Sequence, residues 1–426
     1  MKHFTIFLLS LPLVLFSCGR QDPGDTPKTE DETWTNTGDY TIKDGVITEQ
    51  VLRNYLSRAI TEAEYLNSAG FTSNGYYGTA DDERMLLNIG AKFIGRALYT
   101  WNNEAKFNKD AWLDTAREKA ERYHIMDPDA IFQGAIFETV SKSGVEQILI
   151  PDWVFEAFEK TPERRCFSFD AIRDEDGKYL NQWGTDTAVP DMSREEAQMW
   201  FYYVAVRYME AGCEALHCGQ VNLMTSMGDS ANRYAGWRKM QALVREAAKT
   251  KARRGFVLMD AHCPGIVVDG QQLFDFAAYP LRLKETIGST ELEASLQKGY
   301  RDCIVGKTVA GTTPSGWYTQ RLPYILEFDN FGTSSHPGKA AMDHYVWGYD
   351  EISWIGLVTE EYAQSFVRTT VDYLQRVDPM GYLQMPGLRV AVMTNKDGSN
   401  PYRCNTRSEA CPKGRNLEET IKDLWK

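Results

Sequence analysis

The side chains able to do acid–base chemistry in this 426-residue chain cluster at the ends of short apolar runs. Glu138 follows Ile131–Phe137, His217 and Gln220 follow Cys213–Leu216, and Asp260 and His262 follow Phe256–Met259. Glu327, Asp329 and Asn330 follow Tyr324–Leu326, and Asp350 and Glu351 follow Tyr345–Gly348. Glu327 and Asp329 share a parity, as do Asp260 and His262, so in extended chain the members of each pair point the same way. Two carboxyl groups facing one bond suit glycoside hydrolysis: one protonates the leaving oxygen while the other attacks the anomeric carbon or activates water. Glu327 ranks first for this chemistry, because a single Glu closing an apolar run beside Asp329-Asn330 has no evident core role. Asp260 and Glu138 are its expected partners. His217, Gln220, His262, Asp329, Asn330, Asp350 and Glu351 are expected to hydrogen bond a substrate's hydroxyls. Trp101 and Trp347, with Trp354, are expected to stack on flat sugar faces. Glu214 falls at the start of its run and reads as structural.

His217, Asp260, His262, Glu327, Asp329 and His344 also offer donors for Zn²⁺ or Mn²⁺, which makes a metal-dependent hydrolase an alternative. Asp260-Ala261-His262 is the one close pair in that set that includes a histidine, and neither HxH at the first strand end nor CxxC occurs, so no metal is assigned. No GxGxxG opens a helix and no P-loop is present, so no cofactor is expected.

Positioning such groups together falls to the elements between them. A helical lead-in is expected at Thr48–Leu66, then apolar runs at Lys92–Leu98, Ile131–Phe137, Cys166–Phe169 (ending at Asp170), Cys213–Leu216, Phe256–Met259, Tyr324–Leu326, Tyr345–Gly348 and Tyr382–Met385. Amphipathic helices are expected at Asp110–Tyr123, Ser193–Ala211, Arg233–Lys251 and Glu360–Arg376. Continuous apolar runs separated by such helices indicate parallel strands buried on both faces. Eight of them predict an α/β fold, a (β/α)₈ TIM-like barrel with long loops, whose strand carboxyl ends share one mouth. The stretch Val268–Leu283 is expected as an extra strand in a loop; were it a barrel strand, the count shifts by one and a doubly wound open sheet competes.

Composition limits the partners. The formal net charge is −12 and no basic patch interrupts it, which argues against nucleic acid. Eleven Trp, 22 Tyr and 19 Phe suit a cleft that stacks on sugars, while most must be core. At the N-terminus, Lys2 and His3 precede an apolar run, Phe4 to Phe16, that stops at Leu15-Phe16-Ser17-Cys18. That run is too short to span a bilayer and reads as a signal peptide over residues 1–17, with Cys18 the lipidation site. Residues 18–37 are polar and acidic enough to form a disordered tether, leaving 38–426 as the catalytic domain with a C-terminal loop extension. The expected location is the bacterial cell envelope, with the lipid as the membrane contact. Of eight cysteines, Cys404 and Cys411 flank a polar loop where a local disulfide is plausible in an exported protein.

The lipobox with its acidic tether, the strand-end motifs Glu214-Ala215-Leu216-His217-Cys218-Gly219-Gln220 and Ile325-Leu326-Glu327-Phe328-Asp329-Asn330, and Trp347-Gly348-Tyr349-Asp350-Glu351 resemble the secreted (β/α)₈-barrel glycosidases and glycosidase-like lipoproteins of bacterial glycan-utilisation systems. The likeness runs from about Leu86 to Met385 and implies a carbohydrate substrate. It implies either hydrolysis or, on a decayed barrel, glycan binding without turnover. The chain departs from the large retaining superfamily of such barrels, where an Asn-Glu pair ends the fourth strand; that end here carries His217 and Gln220.

Overall fold

The structure is a computed structural model and describes residues 34–67, 79–289, 292–330, 336–340, 345–394 and 398–426. Cys18 and the signal segment lie outside the described residues, as does His344. No helix among the described residues is long and apolar enough to cross a membrane.

Ten strands carry the architecture: β1 (Ala59–Glu62), β2 (Phe93–Tyr99), β3 (Ile131–Ala135), β4 (Cys213–His217), β5 (Leu258–Asp260), β6 (Ala277–Pro280), β7 (Tyr324–Glu327), β8 (Gly381–Leu383), β9 (Met385–Thr394) and β10 (Gly398–Tyr402). One sheet has the order β10-β9-β1-β2-β3-β4-β5 and is parallel except for the β9–β10 pair; a second, β6-β7-β8, is parallel throughout. Only Gln384 separates β8 from β9, so one stretch of chain serves both sheets. At the other end, Ala278 of β6 bridges to His262 and Cys263, just beyond β5, and its N–H donates to Ala261. The result is an α/β arrangement of parallel strands, buried on both faces as their continuous apolar composition requires.

The helices are α1 (Glu49–Leu56), α2 (Thr79–Ile89), α3 (Asp110–Met126), α4 (Glu195–Glu210), α5 (Ala235–Lys251), α6 (Glu351–Leu357), α7 (Glu360–Val377) and α8 (Glu418–Leu424). Thr48 starts α1 by accepting from the Val51 N–H, and Thr359 does the same for α7 from Tyr362. Expected helices α3, α4, α5 and α7 form within a few residues of their predicted bounds.

Several expectations need correction. The lead-in ends at Leu56, and Ala59–Glu62, read as its continuation, is β1. Cys166–Phe169 is not a strand: Cys166 makes a single bridge to Leu149, and a short helix, Phe169–Ile172, starts where Ser168 caps it. Asp170 therefore sits in the first turn of that helix, exposed and paired with Arg173. Tyr345–Gly348 is a tight turn closed by Val346 and Tyr349. The stretch Val268–Leu283 supplies β6, a member of the parallel set. Asn36 and Thr37, assigned to the tether, hydrogen bond to Asn54 of α1. The C-terminal extension is not all loop, because it holds β10 and α8. Cys404 and Cys411 are both free thiols, each buried, and the Cys404 Sγ faces Met85.

Two layers inside the strands matter for function. Phe93, Ile131, Ala215, Leu258, Ala278 and Ile325, one from each of β2 to β7, pack into one buried cluster. Two residues further along, on the same faces, stand Gly95, Gln133, His217, Asp260, Pro280 and Glu327. A polar layer is thus stacked on an apolar one. A Cβ on Gly95 would fall 1.8 Å from Gln384 Nε2, so any other residue there would displace the Gln384 side chain. Below the apolar layer, Glu214 opens β4, fully buried, with its carboxylate bound to Arg253 and to the backbone and guanidinium of Arg254, the structural role read from its position.

Candidate functional site

Glu327 ends β7 with a 2% exposed carboxylate gripped from two sides. Arg96 of β2 donates to it through both Nε (2.9 Å) and Nη2, and Arg389 of β9 donates at 2.6 Å. His262 Nε2 lies 3.2 Å from the same carboxylate. Burial alone pushes the Glu327 carboxyl up; Arg389, Arg96 and the His262 hydrogen bond outweigh it and hold the group well below the usual carboxylate range. It is an anion fixed in place.

Arg96 reaches Glu327 from a left-handed backbone, φ +55°, where the β2–β3 register slips between Ile94 and Leu98. A bulge re-aims one side chain, and a non-glycine residue in this region costs of order 1 kcal/mol or more, a strain typical of functional positions.

Asp260 of β5 is fully buried and meets different neighbours. Its Oδ1 accepts from Gln133 Nε2 and its Oδ2 pairs with His217 Nδ1, each at 2.6 Å. Burial, aided by the charges of Glu327 and Asp275, pushes the Asp260 carboxyl well up against the pull of Arg96. Burial, then Arg96 and His262, pushes the His217 imidazole down. Both directions express the same penalty on charge, across a 2.6 Å contact between Oδ2 and Nδ1. The rings of His217 and His262 are 4.6 Å apart, so the Asp260–His217 pair and Glu327 belong to one contiguous cluster. The parity expected of Asp260 with His262, and of Glu327 with Asp329, is realised: Arg389 also approaches Asp329, at 3.7 Å.

Glu138 lies just past β3, where its carboxylate accepts from the Gln220 N–H (3.0 Å) and Gln220 Nε2 (2.8 Å). Gly219 makes this approach feasible. It has φ +53°, and a Cβ on it would fall 2.2 Å from Glu138 Oε2. Phe137, the next residue back, touches the His217 ring and lies under Arg96, which brings this segment to the cluster. Trp101 is 42% exposed and packs edge-on against Phe137 and Trp183, forming an aromatic shelf beside Glu138.

Other expected residues serve different ends. Asp350 caps α6 by accepting from the Ser353 N–H, and Glu351 accepts from the N–H groups of Arg282 and Asp329; both are fully buried and brace the loop after β7. Asn330 donates to the Val390 carbonyl. Trp347 and Trp354 donate to the carbonyls of Glu293 and Leu292, and Trp354 is core. Among the described residues no group of three or more His, Cys, Asp or Glu side chains is placed to hold a metal ion.

Arg96 and Gln133 were missed because they lie inside apolar runs rather than at their ends, and Arg389 because it lies beyond the last run read, Tyr382–Met385. The usable signal was the lone charged residue in Phe93-Ile94-Gly95-Arg96-Ala97-Leu98, since a guanidinium buried in a strand requires an anion.

Burial raises Glu351 to about 7 against the pull of Arg282. A carboxyl whose folded value exceeds its unfolded value of about 4.5 adds stability that is complete below that lower value and is lost as pH climbs to 7, up to roughly 3 kcal/mol. Melting temperature should therefore carry a downward component between pH 5 and 7 that Glu351→Gln flattens. An unchanged slope in the variant refutes the assignment.

No family model matches the chain, and no curated protein matches it. Among solved structures it is similar to an α-galactosidase from Thermus thermophilus (16% identity, 53% of this chain and 42% of that one, TM-score 0.31). It is also similar to a debranching enzyme from Nostoc punctiforme (11% identity, 87% and 79%, TM-score 0.42) and to endo-glycoceramidase II from Rhodococcus sp. (12% identity, 86% and 78%, TM-score 0.35). The chain spans less than half the length of the Thermus protein.

Proposed function

We propose that this chain is a glycoside hydrolase built on a closed (β/α)₈ barrel, with the two sheets joined through Gln384 and the Ala278 bridges. One observation carries the reading: two carboxyl groups at the ends of β5 and β7 meet opposite surroundings, Glu327 held low by Arg389 and Arg96, Asp260 pushed up by burial. Divergence of that kind separates the roles of an acid and an anionic stabiliser in glycoside cleavage. Glu327 faces the positive charge that develops at the anomeric carbon, and the proton comes from the Asp260 side. Gln220, Glu138 and the Trp101–Trp183 shelf supply hydroxyl contacts and stacking. Turnover of a panel of aryl glycosides and glycans by the wild-type protein, and its loss in Glu327→Gln, tests this; no turnover on any member overturns it.

Glycan binding without cleavage is the second reading. It is favoured by the fact that both oxygens of Glu327 are already engaged by arginines. Sugar binding by a wild-type protein that turns nothing over supports it.

We also propose that Cys18 carries the lipid that tethers the domain to the envelope. Cys18→Ala should abolish labelling with a palmitate analogue and release the protein from the membrane fraction, and labelling retained in that variant refutes the anchor.

A further inference from the structure

We propose that His217, through Nε2, is the residue that transfers the proton in this site, and that Asp260 is its positioning residue. The inference rests on the glycosidase reading above and assigns to an imidazole the role that reading leaves on the Asp260 side.

Asp260 cannot reach a substrate itself. It has no exposed surface, Gln133 occupies one oxygen and His217 Nδ1 the other. His217 is 2% exposed, and with Nδ1 committed to Asp260 its Nε2 is left without a hydrogen-bond partner. A buried, unpartnered ring nitrogen is destabilising unless a ligand group completes it. The ring stands between Phe137 (6.3 Å) and His262 (4.6 Å), and His262 in turn contacts the Glu327 carboxylate. His262 thus links the His217 ring to Glu327 within the polar layer above the apolar core.

The charged and titratable groups around the imidazole set the direction of transfer. Asp260 and His262 face it from the β5 end, Arg96 from β2, Glu327 from β7 and Arg389 from β9. With one proton shared between Oδ2 and Nδ1 and one on Nε2, the Asp260–His217 pair is neutral overall. Giving up the Nε2 proton leaves it with a single negative charge beside two guanidiniums, which stabilises the product of the transfer. In the step, Nε2–H passes to the glycosidic oxygen as the bond from that oxygen to the anomeric carbon breaks, its electron pair staying on the oxygen. The charge developing at carbon is met by Glu327. Water then adds to the carbon and returns a proton to Nε2, so the products are a free sugar and the leaving alcohol.

The test uses the full-length protein and a series of aryl glycosides of one sugar that the wild type hydrolyses, graded by leaving-group acidity. A dinitrophenolate leaves without help, whereas an unsubstituted phenolate or an alcohol needs a proton. His217→Gln should lower kcat/KM about 10²–10⁴-fold on the poor leaving groups and less than about tenfold on dinitrophenyl glycosides, with loss of one limb of the pH profile. Asp260→Asn should show the same selectivity to a smaller degree, and it carries the test if His217→Gln does not fold. Equal losses across the series, or none, overturn the role of His217 alone. No hydrolysis of any glycoside by the wild type overturns the glycosidase reading and this inference with it.

Discussion

Glu327→Gln is expected to lower kcat by about 10³-fold or more while the dissociation constant for the sugar changes little. The substitution removes a fixed anion from the point where positive charge develops. Preorganised electrostatic contacts act mainly on the transition state, and losing one costs of the order of 10²–10³ by itself. The same change leaves the Arg96 and Arg389 guanidiniums facing an amide, both nearly buried. Breaking a buried pair by removing one partner costs about 3–5 kcal/mol, so the variant should also melt earlier. Rates therefore belong at a temperature well below its transition, with the folded fraction checked by circular dichroism and sugar binding by calorimetry. A folded Glu327→Gln protein that keeps wild-type kcat removes Glu327 from the chemistry.

The second large effect is expected at the opposite end of the strands. Glu214→Ala should destabilise the fold by about 3–5 kcal/mol, read as a lowered denaturation midpoint with an unchanged slope. Its carboxylate is completely buried and holds Arg253, Arg254 and the Arg254 N–H, and Arg254 goes on to contact Tyr55 of α1. Losing it strands a largely buried guanidinium and loosens the contact between α1 and β4. The folded fraction should keep its kcat, because no group of the Glu327 cluster is touched. A midpoint within about 0.5 kcal/mol of wild type refutes the structural role.

Much of this fold was legible as runs of apolar residues. β2, β3, β4, β5, β7 and β8 announce themselves because a strand buried on both faces is apolar along most of its length. β1 did not, since Ala59-Ile60-Thr61-Glu62 follows a helix without a break in polarity and ends in a buried acid. β6 was obscured by Pro280 and by its place inside a long excursion. Cys166–Phe169 and Tyr345–Gly348 misled in the other direction, because an apolar run of four residues does not distinguish a strand from the first turn of a helix or a tight turn. In the site, Glu327, Asp260, His217, His262 and Glu138 stood out as polar groups closing apolar runs. Of their electrostatic partners, Arg96 and Gln133 lay within the runs and Arg389 beyond the last of them, and none was singled out. Asp350-Glu351 was taken for part of the mouth when its spacing to Ser353 is that of a helix start, a local capping signal that competes with any reading by position alone.

The pairing of β1 with β9, Ile60 against Met385, joins opposite ends of the folded body. Until the last quarter of the polypeptide has been synthesised, the first strand has a bare edge and the polar layer lacks Arg389. Contacts of such long sequence separation form late and slowly. The second arm of the clamp on Glu327 can therefore close only after the C-terminal portion has reached its place beside β1.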